Sequence, residues 1–420
     1  MAPLAESLAA AATIVARVAA GRSLSAEIER AGTEPNEARA ALVDLCYGTL
    51  RRYGRSQALV KALSSRAQIT DPQVAALLWC ALYALEGGRY AEYTVVDQAA
   101  RACVIMSQHR AKGFVNAVLR NYLRSRASLE ARLGADPVAR HWHPAWWIER
   151  LRAAFPAEWE AVLEAGNVHP PMTLRVNARR GSAPDYLATL AAQGTPARAL
   201  GAHALMLEKP LPVARLPGFA DGAVSVQDAG AQRAAPLLEL AAGQRVLDAC
   251  AAPGGKTAHI LELADVELTA LDIDAARCAD VERNLARLGL AAQVRVADCA
   301  ALEAWWDGKP FDRILADVPC SASGIARRHP DAKWLRRAAD LERFADRQAR
   351  ILDALWRTLA PGGKLLYVTC SVFTEENGAV IDAFLARTSG ARRAPRAGSG
   401  QILPGPEHDG FFFALLEKPA

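Results

Sequence analysis

The sequence predicts a multidomain chain: an all-α N-terminal third, a small α+β middle subdomain, and a C-terminal α/β domain built on a mostly parallel, doubly wound sheet. Three observations predict it. At 420 residues the chain exceeds what one core organises, since domains hold about 100 to 200 residues each. Apolar residues in the first third recur with helical periodicity. After Pro236, short apolar runs alternate with helical patterns, the signature of a parallel sheet with crossover helices. The expected divisions are 1–140, 141–235 and 236–420.

From Gln73 to Glu86, Val74, Leu77, Leu78, Ala81, Leu82 and Leu85 fall on one helical face, and Asp71-Pro72 supplies a start signal. Between Lys112 and Ser125, Phe114, Val115, Val118, Leu119 and Tyr122 form a second stripe. Lys112, Asn116, Arg120 and Arg124 recur every four residues on another side of that helix, a pattern that suits phosphate contacts or plain solvation. His141 to Leu151 gathers three tryptophans and two histidines beside a proline. It reads as a hydrophobic inter-domain seam ahead of a base-stacking surface or a metal site, because nothing adjacent completes a ligand set. The middle segment, Pro170 to Asp228, offers a strand at Thr173–Asn177, a helix at Ala183–Gln193 and a proline-rich loop. Strands are then expected at Arg245–Ala249, Glu267–Leu271, Gln293–Ala297, Arg313–Asp317, Lys364–Thr369 and Phe411–Leu416, with a helix at Leu341–Leu359.

Composition excludes several classes. Half the residues are hydrophobic and 23% charged, the balance of a globular protein. The alanine-rich N-terminus lacks a basic leader and is broken by Glu6 and Arg17, so it reads as an amphipathic helix and not as a signal peptide. No apolar run reaches the roughly 18 residues of a membrane span. The eight cysteines show neither C-x-x-C nor zinc-like spacing, so reduced thiols in a cytoplasmic protein without a metal are expected. Residues 1–140 hold 18 Lys and Arg against 12 Asp and Glu. That excess exceeds the whole chain's net charge of +5 and points to a polyanion held by the first domain, or to a charged solvated face.

The chemistry is concentrated at strand ends of the last domain. The turn D-A-C-A-A-P-G-G-K-T after Asp248 is not a phosphate-binding P-loop, which needs glycine where Cys250 stands, nor a G-x-G-x-x-G dinucleotide turn, since its glycines are the adjacent Gly254 and Gly255. S-adenosylmethionine fits better. Its amino-acid end needs close backbone approach. Asp272, ending the second strand, supplies a carboxylate for a ribose diol, and Asp298, ending the third, can accept from the adenine amine. Any one of these aspartates would also serve as a helix cap. Cys320 in A-D-V-P-C-S and Cys370 in V-T-C-S-V end later strands, where a thiol can act as a nucleophile.

Together A-A-P-G-G-K-T, D-V-P-C-S and T-C-S-V resemble the three principal motifs of RNA cytosine-5 methyltransferases. Upstream, S-L-S-A-E-I, L-C-Y-G-T-L-R-R and K-G-F-V-N-A-V-L-R resemble the NusB-like helical domain of the bacterial branch that methylates small-subunit (16S) ribosomal RNA. P-P-M-T-L-R-V-N and L-P-G-F resemble its middle segment, so the likeness covers nearly the whole chain. Val318 is a mild departure, since a smaller residue usually precedes Pro-Cys there. The resemblance implies a Rossmann-like class I methyltransferase domain using S-adenosylmethionine. It implies a cofactor loop of Cys250, Ala251, Ala252, Pro253, Gly254, Gly255 and Lys256, completed by Asp272, Asp298 and Asp317. It implies Cys370 as the nucleophile on cytosine C6 and Cys320 as the thiol that assists release. Asp317 would hold the base edge, either protonated or through the exocyclic amine. The substrate would be ribosomal RNA, unstacked or single-stranded at the target, with the helical domain binding RNA. Arg327, Arg328, His329 and Lys333 then read as a clamp on RNA phosphates or a solvated turn.

Two rival readings are weaker. An exocyclic amino-methyltransferase pairs Asp or Asn with Pro-Pro and a stacking aromatic, where this chain has Asp317-Val318-Pro319-Cys320. A binding protein that kept the fold but lost catalysis would not be expected to retain both thiols and every cofactor carboxylate.

Overall fold

A computed structural model describes residues 4–32, 37–64 and 69–420. It forms two compact units, Met1–Val168 with Ala326–Ala338, and His169–Ile325 with Ala339–Ala420. The first is helical: α1 (Leu4–Ala19), α2 (Leu24–Arg30), α3 (Glu37–Arg51), α4 (Tyr53–Leu63), α5 (Pro72–Glu86), α6 (Glu92–Ile105), α7 (Lys112–Leu133), α8 (Pro137–His141), α9 (Ala145–Ala154) and α10 (Trp159–Ala165). Helix α5 starts where Asp71-Pro72 predicts, with Asp71 Oδ1 accepting from the Gln73 and Val74 amides at 2.8 and 3.1 Å. The expected apolar face of α5 is buried, but so are Ala76, Cys80 and Ala84. The helix is central, packed against α1, α3, α4, α6 and α7, and a helix surrounded by others is apolar all round. In the tryptophan-rich stretch, Trp147 is buried with His143 beside it, ring centroids 5.8 Å apart.

The segment Ala326–Ala338 corrects the phosphate-clamp reading at Arg327 and Lys333, while Arg328 is half-buried and His329 exposed. It contains α15 (Ala332–Leu335) and packs into the helical unit. Lys333 is fully buried, its Nζ donating to the carbonyls of Arg51 and Trp142 and to Asn167 Oδ1 at 2.9 to 3.0 Å. Burial therefore drives its pKa well below the usual lysine value. Arg327 is buried too, its carbonyl accepting from the Arg51 guanidinium at 3.0 Å. Trp334 Nε1 donates to the Leu50 carbonyl and its ring lies against Tyr53, while Asp331 accepts from the Leu24 amide. A lysine spent on three internal acceptors cannot grip a phosphate. The sequence disguised this because a basic run is normally solvated.

The second unit opens with a four-stranded antiparallel sheet of order β2-β3-β1-β4, made of β1 (Met172–Val176), β2 (Ala197–Ala199), β3 (Ala204–Leu207) and β4 (Val224–Val226), with α11 (Ala183–Ala192). After the short helix α12 (Ala234–Leu237) comes a larger sheet. Its strands are β5 (Arg245–Asp248), β6 (Glu267–Asp272), β7 (Gln293–Val296), β8 (Phe311–Asp317), β9 (Leu359–Thr369), β10 (Arg392–Arg393), β11 (Gly400–Ile402) and β12 (Phe411–Glu417). Helices α13 (Gly255–Leu263), α14 (Ala275–Leu288), α16 (Asp340–Thr358) and α17 (Gly378–Arg387) accompany it.

The order is β10-β12-β9-β8-β5-β6-β7 with β11 on β12; β7 through β9 run parallel and β12 is antiparallel to β9. Chain order reverses between β5 and β8, which opens a crevice beyond their carboxyl ends. Leu365, Leu366, Tyr367 and Val368 are all fully buried, as a strand covered on both faces requires. One boundary differs from expectation: β9 begins at Leu359, directly after α16. Its first residues pair with β8 across a register irregularity between Phe311 and Arg313, so Pro361-Gly362-Gly363 bends within the pairing and is not a separate loop.

Candidate active site

The loop expected to hold the cofactor is a tight connection from β5 to α13. Asp248 ends the strand, fully buried, and its Oδ2 accepts from Thr257 Oγ1 at 2.7 Å, closing the loop between its first and last residues. Asp248 Oδ1 is buried with no partner among the described residues, and burial pushes this carboxyl up to about 7. Gly254 has φ of +92°, and a Cβ there would lie 3.1 Å from the Val281 backbone, so the position demands glycine twice over. The loop is braced from the smaller sheet by Arg175 on β1. Its guanidinium makes two bonds to Glu262 at 2.9 and 2.7 Å, one to the Gly255 carbonyl at 2.7 Å and one to Gln227. Both charges are almost completely buried.

Asp272 sits at the β6 exit as expected. Its Oδ2 accepts from the Ala252 amide at 3.2 Å, its Oδ1 from the Asp274 amide at 3.2 Å, and Arg277 lies 3.5 Å away. Asp298 follows β7, is exposed, and accepts from the Ala300 amide at 3.0 Å. Each thus holds a local turn but caps no helix, the cap of α14 being Asp274, and both border a single cavity of about 330 Å³. Cys250, Ala252, Asp317, Cys320 and Cys370 line it as well. Ala251, Pro253, Gly254, Gly255 and Lys256 are the loop behind that lining. A pocket edged by carboxylates at two strand ends, and floored by a loop without bulky side chains, suits a ligand with a diol, an amine and a cationic centre.

The other wall carries the thiols. Cys320 Sγ and Cys370 Sγ are 3.2 Å apart, at the exits of the adjacent strands β8 and β9. The hydrogen bond with Cys370, and then burial, raise the Cys320 thiol well above the usual cysteine value. Lys256 Nζ binds Asp317 Oδ2 at 2.5 Å. Burial alone would lower this lysine, but the Asp317 carboxylate outweighs it and the net shift is upward, with a smaller contribution from Cys370. A second thiol contact, Cys250 to Cys299 at 3.9 Å, lies in the same cavity. The Cys299 hydrogen bond and burial push Cys250 far up, which disfavours its thiolate.

Four side chains here escaped sequence reading: Arg175, Arg277, Gln348 and Glu376. Gln348 had a signal, as a polar residue within the buried stripe Leu341, Ile351, Leu352 and Leu355 of α16. The others had none, since burial of a charge is not written in local pattern. Among the described residues no cluster of three His, Cys, Asp or Glu could hold a metal ion, and no helix is long and apolar enough to cross a membrane.

Comparison with known proteins supplies the rest. Residues 235–417 match the family described as 16S rRNA methyltransferase RsmB/F, residues 143–214 an RsmF/B-like ferredoxin-like domain, and residues 6–124 the NusB family. The ribosomal RNA small subunit methyltransferase B of Pseudomonas syringae pv. tomato is 44% identical over 99% of this chain and 97% of its own length. That of Vibrio cholerae is 42% identical over 98% and 96%. The crystal structure of PH0851 superposes with a TM-score of 0.81, covering 100% of this chain and 99% of that one at 23% identity, a likeness of fold. The expected architecture of NusB-like helical domain, small α+β subdomain and Rossmann-like methyltransferase domain is therefore present. The chain belongs to the 16S rRNA methyltransferase RsmB/F family, whose methyl donor is S-adenosylmethionine.

Proposed function

We propose that this enzyme methylates C5 of a cytosine in 16S ribosomal RNA through a covalent bond between Cys370 and C6, with Cys320 assisting release. The observation that carries the reading is the 3.2 Å contact between the two thiols inside the cavity bordered by Asp272 and Asp298. Cytosine C5 is too weakly nucleophilic to take a methyl group directly. Attack of the Cys370 thiolate on C6 pushes the ring's electron pair toward N3 and O2 and makes C5 enamine-like. When bound, S-adenosylmethionine supplies an electrophilic methyl on its sulfonium. Asp317, held by Lys256, accepts from the exocyclic amine and fixes the base edge as charge moves through the ring. Once Cys370 is tied up in the thioether, Cys320 gives its own proton to solvent and, as the thiolate, takes the C5 proton; the C6–sulfur bond breaks and the electron pair returns to Cys370.

Cofactor contacts follow the strand ends. The loop from Cys250 to Lys256 holds the amino-acid end, Asp272 the ribose diol and Asp298 the adenine amine. Residues 236–420 carry the chemistry, 141–235 connect and brace it, and 1–140 bind RNA, which presents the target unstacked in the cytoplasm. The groove lined by Tyr93, His109, Lys112, Asn116, Arg120 and Arg124 supports RNA binding by the helical unit, offering cations beside an exposed aromatic ring. Mass mapping of 16S RNA incubated with enzyme and S-adenosylmethionine tests the reading. One 5-methylcytosine is expected, and a methyl group on an exocyclic nitrogen would overturn it.

A further inference from the structure

Glu376 follows Cys370 by six residues and is fully buried, yet its carboxylate is saturated by donors from both thiol-bearing strand exits. The Ser321 amide and Oγ, one residue past Cys320, donate at 2.7 and 2.5 Å. Ser371 Oγ, one residue past Cys370, donates at 2.6 Å. Gln348 Nε2 adds a fourth bond at 3.3 Å while also donating to the Pro319 carbonyl. Ser321, Ser323 and Ser371 hydroxyls close the cluster at 2.9 to 3.2 Å. Four donors and no acceptor describe a site shaped for the ionised form, although burial raises the carboxyl above its ordinary value against those hydrogen bonds.

We propose that Glu376 is the positioning residue of the reaction: it fastens the Cys320 and Cys370 strand exits together and, from the Cys320 side, leaves the single ionisation of the thiol pair on Cys370. Two thiols in contact lose one proton far more readily than two. That proton goes to solvent, and the remaining one stays on Cys320 Sγ and hydrogen-bonds to the Cys370 thiolate. A negative charge beside Cys320 and a positive one, Lys256, toward Cys370 polarise the shared proton in that sense. The Cys320 thiol is indeed raised in part by Glu376, and the Lys256 ammonium in part by Cys370. The other titratable or charged groups around the pair are Asp317 on β8, Asp248 on β5, Tyr367 on β9 and Arg347 on α16. This inference rests on Cys370 being the nucleophile.

Glu376→Gln tests it, because a carboxamide keeps the volume and can accept from the Ser321 amide through Oε1 while its NH₂ donates to the two hydroxyls. Iodoacetamide labelling with peptide mapping reads where the thiolate lies. The wild type is expected to label at Cys370, and Glu376→Gln at both cysteines with a labelling midpoint about one pH unit lower. Its kcat should fall about a hundredfold, as for a misplaced reacting group, with KM for RNA and cofactor little changed. Unchanged label distribution and midpoint would overturn the electrostatic role. Ser371→Ala keeps the charge and three donors, so it should retain Cys370 labelling but lose about tenfold in kcat; an unaltered kcat would overturn the fastening role. RNA adducts formed by Cys320→Ala and Cys370→Ala separate these failures from that of the nucleophile assignment itself.

Discussion

The two walls of the proposed catalytic cavity are built on opposite principles. The cofactor wall, at the exits of β5, β6 and β7, is mostly backbone: a glycine-bearing loop, two carboxylates turned into their own chain, and a brace from Arg175 behind it. The thiol wall, at the exits of β8 and β9, is a sealed polar cluster in which every hydroxyl of Ser321, Ser323 and Ser371 is engaged. A wall that binds a ligand needs open edges, whereas one that aims a nucleophile needs its side chains over-determined. Damage to the first should therefore appear in binding and folding, and damage to the second in turnover.

The largest expected effect on the cofactor wall comes from its brace. Arg175→Met leaves the Glu262 carboxylate buried and unpaired and should destabilise the enzyme by about 3–5 kcal/mol in urea unfolding. A loss under 1 kcal/mol would mean that the pair is solvated and the wall not braced from the smaller sheet.

Asp248 sharpens the comparison through pH. Its folded-state pKa of about 7 lies above the unfolded value of about 4, so the folded protein holds a proton that the unfolded chain has released. Its contribution to stability is thus complete below about pH 4 and fades as pH rises toward 7, at about 1.4 kcal/mol per unit. Asp248→Asn keeps an acceptor for Thr257 and has nothing to ionise. The stability of wild type relative to this variant should fall between pH 5 and 7 and level off above; parallel profiles would show that the carboxyl is not perturbed.

Asp272→Ala should weaken cofactor binding by about 1.5–3 kcal/mol in calorimetric titration, with little change in thiol labelling. An unchanged affinity would move the ribose contact elsewhere. The smallest effect lies outside both walls. Replacing Lys112, Arg120 and Arg124 with alanine should flatten the salt dependence of RNA binding by up to about three phosphate contacts' worth. Cofactor binding should be untouched, and an unaltered salt slope would make this stripe plain solvated surface.

The contrast between the walls also explains what the sequence made legible. Strand starts and ends fell within a residue or two where apolar runs were bounded by turns, as at Glu267–Asp272 and Phe411–Glu417. Motif spacing located Asp272, Asp298, Cys320 and Cys370 at one cavity, because a parallel sheet brings successive strand exits together whatever lies between them. What stayed hidden depends on burial. Lys333 and Arg327 look like surface cations until the fold encloses them. Glu376 is one of two adjacent glutamates, and only the meeting of β8, β9 and α16 separates it from half-buried Glu375.

The most direct test of the central claim is denaturing electrophoresis of labelled 16S RNA incubated with S-adenosylmethionine and each single cysteine variant. If Cys370 attacks C6 and Cys320 removes the C5 proton, Cys320→Ala should methylate its RNA and remain bound through a Cys370 thioether, giving a retarded band. Cys370→Ala should give neither band nor product, and the double variant no band. A retarded band from Cys370→Ala with none from Cys320→Ala would contradict the account and make Cys320 the nucleophile.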